Sequence, residues 1–135
     1  MSEDDASVDL EKTVLIALSN SANGQYVEYI AQQLGYSSQI LSTPAEILAE
    51  IDSLEEKRAN YKIVLDATLG GGHVDDIRFA VSTRDKLVAL GKDLTSVLLA
   101  VTQYSEAKAK CERATPGIPC LLGYRNDQDF IQFLG

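Results

Sequence analysis

The sequence predicts a doubly wound α/β domain, a parallel sheet of five strands with helices on both faces. Short apolar runs rich in β-formers recur along the chain, and each is followed by a segment with apolar residues at helical spacing. The runs are continuous rather than alternating, so their strands are buried on both faces, as in parallel sheets. Right-handed crossovers restrict the winding, and the order 2-1-3-4-5 is common for five strands.

The elements follow in sequence. Residues 1–12, "MSEDDASVDLEK", read as a flexible acidic lead-in, and 13–135 as one domain whose last helix reads as cut short. "TVLIAL" (13–18) is the first strand, and "SNSANG" is a loop that caps the next helix. That helix has Val27, Ile30, Ala31 and Leu34 on one stripe and ends at Gly35. "SQILS" is the second strand. The second helix starts with Thr43 as cap and Pro44 at its first position, and it buries Ile47, Leu48, Ile51 and Leu54. "KIVLDA" is the third strand. After "TLGGG", the stretch "VDDIRFAVSTRDKLVALG" is a helix with Ile77, Ala80, Val81, Leu87 and Leu90 inward. "TSVLLAVTQ", "SEAKAKCERA", "GIPCLLGY" and "NDQDFIQFLG" supply the fourth strand, a short helix, the fifth strand and a final helix.

Bulk properties exclude several classes. A net charge of -8 argues against non-specific binding to nucleic acid or anionic membrane. No apolar run is long enough to span a bilayer, and the acidic N-terminus is unlike a secretory leader. Cys111 and Cys120 form no redox or metal motif, and a lone pair of this kind predicts reduced, cytoplasmic thiols.

In a sheet of this order the site lies outside the carboxyl ends of the strands. "LSNSANG", "DATLGGG", "TQYS" and "GYRN" therefore surround one crevice. With these motifs in place, the chain resembles the receiver domains of two-component signalling, most closely those fused to hybrid histidine kinases. The resemblance runs over about residues 12–134 and rests on "VLIALSNSANGQYVEYIAQQLGY", "YKIVLDATLGGG", "LLAVTQYSE" and "GIPCLLGYRN". It implies a flavodoxin-like (βα)5 three-layer sandwich.

The resemblance also implies a site. In such receivers two acids after the first strand hold Mg²⁺. An Asp after the third strand accepts a phosphoryl group, and a Thr or Ser and a Lys contact its oxygens. Here Asp66 falls at the acceptor position and Thr102 at the hydroxyl position. Counting from Gly35 puts Leu18 and Ser19 at the acids, and counting from Thr102 puts Tyr124 at the Lys, with Arg125 where the family usually has Pro. The usual Met-Pro after the acceptor reads Leu69-Gly70, and Leu121 stands where the fifth strand often has an aromatic. A leucine and a serine cannot replace two Mg²⁺ acids. Without metal and Lys, charge on the transferred group goes unneutralised, and each such contact is worth on the order of 10²–10³ in rate.

The expectation is thus a non-catalytic pseudo-receiver with a degenerate phosphorylation site and no cofactor, its Mg²⁺ site lost. It would act by protein contact with the helical or catalytic domains of a histidine kinase, or with a neighbouring receiver. Tyr26 and Tyr29, on the first helix where family partners usually dock, are the candidate surface. One alternative keeps Asp66 as a phosphoacceptor, with Asp75 or Asp76 supplying metal charge or Arg125 swinging in. Another is a flavin- or nucleotide-binding flavodoxin-like domain, with "SNSANG" as phosphate loop. "LGGGH" lacks the Lys and Ser/Thr of a P-loop, and His73, the single histidine, reads as a solvated loop residue.

Overall fold

Strand β3 (Asn60–Asp66) lies at the centre of a five-stranded parallel sheet. The computed structural model describes residues 12–71 and 73–135. On one side of β3 run β1 (Lys12–Ala17) and the edge strand β2 (Ser37–Ile40); on the other run β4 (Leu98–Thr102) and the edge strand β5 (Cys120–Leu122). The spatial order is 2-1-3-4-5, as the sequence predicts, and the fold is a flavodoxin-like three-layer sandwich. Apart from Lys12, which opens β1 opposite Asn60, the expected acidic lead-in lies outside the described residues.

The alternation of side chains along each strand divides the core in two. Val14, Ile16, Val64, Leu99 and Val101 meet helices α1 (Ser21–Gln33) and α6 (Asp127–Leu134), which contribute Val27, Ile30, Phe130 and Leu134. Leu15, Ile63, Leu65, Leu98 and Ala100 meet the opposite layer: α2 (Pro44–Glu56), α3 (Arg78–Ala89) and α5 (Ser105–Arg113). Burying each of these Val, Leu, Ile or Phe side chains contributes about 1.5–3 kcal/mol.

The helix starts are written locally. Asn20 Oδ1 accepts the N–H of Ala22 at 2.8 Å. Thr43 and Glu46 form a reciprocal capping box with Pro44 at the first turn. Gly35, at φ +88°, ends α1 in the left-handed conformation that glycine favours.

Two elements differ from expectation. The helix expected from Val74 starts at Arg78, because the Asp76 carboxylate reaches forward to the Arg78 N–H (3.2 Å) and guanidinium and closes a turn before it. Its buried face is Phe79, Ala80, Thr83, Arg84 and Leu87; Leu90, expected inward, is exposed. The fourth strand, expected from Thr95, is preceded by the short helix α4 (Leu94–Val97), where Asp93 accepts the hydroxyls of Thr95 (3.0 Å) and Ser96 (2.9 Å). Among the described residues no helix is long and apolar enough to cross a membrane.

Candidate functional site

Asp66 is the last residue of β3 and is 1% exposed. The parallel register delivers its neighbours. Ala17 pairs with Leu65, so the chain leaving β1 passes Asp66 two residues later, at Ser19. Leu122 pairs with Thr102, and Gly123 (φ +98°) then turns the chain and donates its N–H to Thr102 O at 2.7 Å. Tyr124 follows that turn and points back across the strand ends.

These neighbours converge on one carboxyl group. Asp66 Oδ2 accepts the backbone N–H of Ser19 and also the Ser19 hydroxyl, the latter at 2.6 Å. Asp66 Oδ1 accepts the Tyr124 hydroxyl. All three donors are neutral. Burial, and then the bond to Asp66, push the Tyr124 phenol well above its ordinary range, so it stays a donor at neutral pH.

The other expected site residues fall around this cluster. Thr102 is buried, and its Oγ1 accepts the N–H of Tyr104 at 3.1 Å, a local turn contact. Leu18 points into the apolar layer beneath α1 rather than toward Asp66. Leu121 packs against the same layer. Arg125 does not reach Asp66: its guanidinium carbon stands 4.5 Å from the Tyr26 ring centroid. The Tyr26 ring meets Phe130 edge-on at 6.1 Å. Tyr26 is half-buried, whereas Tyr29 is 64% exposed, so only Tyr29 of the candidate pair is open to solvent.

A hollow of about 250 Å³ opens above Asp66, lined by Ser19, Asn23, Thr68, Gln103, Tyr104 and Tyr124. Asp66 is its one carboxylate. Asp75 and Asp76 do not line it. Asp76 pairs with Arg78 at 2.7 Å and Asp75 with Lys110 at 3.1 Å. Among the described residues, no group of three or more His, Cys, Asp or Glu is placed to hold a metal ion. His73 is exposed and lines the adjoining hollow with Thr68 and Tyr104.

The glycine loop beside the site is tightly folded. Gly70 has φ +75°, and a Cβ there would lie 2.9 Å from Pro44 Cγ. A Cβ on Gly71 would stand 2.6 Å from the Asp76 carbonyl oxygen. The loop therefore depends on glycine for close approach at two positions.

Sequence reasoning located Ser19 and Tyr124 by counting but gave no sign that both would turn onto Asp66. It also missed the meeting of the two cysteines. Cys111 on α5 and Cys120 on β5 are free, and α5 packs them as neighbours, with Cys120 Sγ donating to Leu121 O at 3.7 Å. The neighbouring Cys111 thiol, and then burial, push the Cys120 thiol far up. Nine residues of separation conceal a contact made by the packing of α5 on β5.

The site thus lies at the carboxyl end of a doubly wound parallel sheet, where such sheets carry their ligands or partners. No protein-family model matches the sequence, and no curated protein does. Among solved structures, the crystal structure of a sensor protein from Polaromonas sp. JS666 shares the fold. It superposes with a TM-score of 0.64 at 13% identity, over 91% of this chain and 92% of that one.

Proposed function

We propose that this chain is a receiver-like signalling module whose phosphoryl-transfer chemistry is lost and which acts through protein contact. One observation carries the reading: the carboxyl at the acceptor position is already taken up by Ser19 and Tyr124. An acceptor must present a free oxygen to phosphorus, beside a cation that neutralises the developing charge. Asp66 has neither.

The donor set does not fit Mg²⁺. The ion prefers octahedral oxygen ligands with one or more carboxylates. Leu18 is turned into the core, Ser19 gives its hydrogen bonds to Asp66, and the hollow holds one carboxylate. Tyr124 takes the place where a lysine would meet the phosphoryl oxygens, and it supplies a neutral hydroxyl. The fold shared with a sensor protein supports a signalling role. The partners would be the helical or catalytic domains of a histidine kinase, or a second receiver, with the exposed Tyr29 on α1 within the contact.

The test is phosphorylation by acetyl phosphate and Mg²⁺, followed by intact-mass spectrometry. The proposal expects no phosphorylated species under conditions that label a working receiver run alongside. A phosphorylated chain that loses the label in Asp66→Ala would overturn it. A yellow protein with flavin absorbance would overturn it in favour of a flavin-binding domain.

A further inference from the structure

The end of the sheet opposite Asp66 has the complementary character. Lys12 opens β1 and Lys62 lies in β3. Lys12 pairs with Asn60 and Val14 with Lys62, so both lysines stand on the α1/α6 face at the amino ends of adjacent strands. Lys92, after α3, comes to the same edge. Together they border a cavity of about 320 Å³, with Tyr36, Tyr61 and Asn60 among its walls.

Each ammonium rests on an aromatic face. Lys12 Nζ lies 4.6 Å from the Tyr36 ring centroid, Lys62 Nζ 4.8 Å from Phe133 and Lys92 Nζ 5.3 Å from Tyr61. Their carboxylate partners are unequal. Lys92 pairs with Glu55 at 2.7 Å, and Glu55 also accepts the Tyr61 hydroxyl at 2.6 Å. Among the described residues, no carboxylate pairs with Lys12 or Lys62. Lys62 gives one N–H to Phe133 O at 2.5 Å, and Lys12 gives one to Leu34 O at 3.4 Å. An ammonium has three donors, so both keep N–H groups for another acceptor. Burial, and then the charge of Lys12, lower the Lys62 pKa. Two lysines with no carboxylate partner among the described residues thus border one cavity in a chain of net charge -8, and Lys62, held at Phe133, lies on its rim.

From this geometry we infer that the amino-end cavity binds a small organic phosphate, its phosphate on Lys12 and Lys62 and the rest of the molecule along the strand ends beside Asn60. A phosphate monoester carries about two negative charges at neutral pH, which match the two ammonium groups. The volume lies at the lower end of the range for small-molecule pockets, about 300–1,000 Å³. The site is remote from Asp66 and does not depend on the reading given to that acid.

The experiment is an amide NMR titration of the full chain with adenosine monophosphate, inorganic phosphate and adenosine as separate probes. The expected result is saturable shifts at Tyr36, Asn60, Tyr61 and Lys62 with adenosine monophosphate, weaker binding of inorganic phosphate, and no shift with adenosine. The variants K12Q and K62Q, checked for an otherwise unchanged spectrum, should each weaken binding, and together by at least about tenfold, near 1.4 kcal/mol. The inference is overturned if no saturable shift is reached by about 10 mM adenosine monophosphate, well above the affinity of a useful site. It is also overturned if K12Q/K62Q binds unchanged, or if adenosine or inorganic phosphate binds as tightly.

Discussion

The two ends of the sheet are opposites. At the carboxyl end, a buried acid accepts from neutral donors, and Arg125, the expected cation, stacks on Tyr26 instead. At the amino end, Lys12 and Lys62 border a cavity, and among the described residues no carboxylate pairs with either. The difference shows what makes a site chemically competent. Position within the fold is shared by every protein of this architecture, but phosphoryl transfer needs opposite charges in one place. On the proposed reading, that pairing is what Asp66 has lost.

The helix α6 is common to both ends. Phe130 underlies Tyr26 near the carboxyl end, while Phe133 carries Lys62 at the amino end. Phe130→Ala should therefore cost about 3–5 kcal/mol, seen as a lower urea midpoint, and should disturb amides at both ends. A change confined to one end would show that they are not fastened by the same helix.

Asp66→Ala should cost about 1–3 kcal/mol, because it leaves Ser19 and Tyr124 donors without their acceptor in a part-buried site. Denaturant melting measures this. An unchanged or raised stability would mean that Asp66 is not a structural acid, which would revive its role as an acceptor.

Tyr124→Phe removes one hydrogen bond and should cost about 1 kcal/mol. Its contribution depends on pH. The folded phenol has a raised pKa, so its stabilisation is complete below the ordinary tyrosine value of 10.0 and declines as pH rises above it. Tyrosinate absorbance should show Tyr124 ionising late in the folded protein, together with Tyr61, also raised by burial and by its bond to Glu55. The Phe variant should lose one late-titrating group. Loss of an ordinary one would contradict the contact.

Arg125→Ala should have the smallest effect, about 0.5–1 kcal/mol from the ring contact with Tyr26. The amides of Ser19 and Tyr124 should not move. If they do, Arg125 acts on Asp66 after all.

Much of this was legible in the sequence. The covered parallel sheet followed from continuous apolar runs such as "KIVLDA" and from helical stripes such as Ile47, Ile51 and Leu54, because burial on two faces leaves a strong pattern, and its order from the right-handed crossover rule. Thr43 with Pro44 fixed one helix start because a cap is a local interaction. The start of α3 was misread because Asp76 closes a turn onto Arg78 just before it, and the helix has no Ser or Thr cap to mark where it begins. At the site, counting found the positions of Ser19, Thr102 and Tyr124. What those side chains touch was not legible. Tyr124 and Arg125 are adjacent, yet one turns to Asp66 and the other to Tyr26. The lysine cavity had no signal either, since Lys12, Lys62 and Lys92 are brought together only by the sheet register and the chain after α3.

The most direct test of the central claim is an amide NMR titration with Mg²⁺ and then beryllofluoride. The account predicts that the amides of Ser19, Asp66 and Thr102 stay unchanged at millimolar metal, because the carboxyl group is already occupied by its own neighbours. Saturable shifts at those three residues would mean that Asp66 still binds metal and a phosphoryl mimic, and the claim that its chemistry is lost would be wrong.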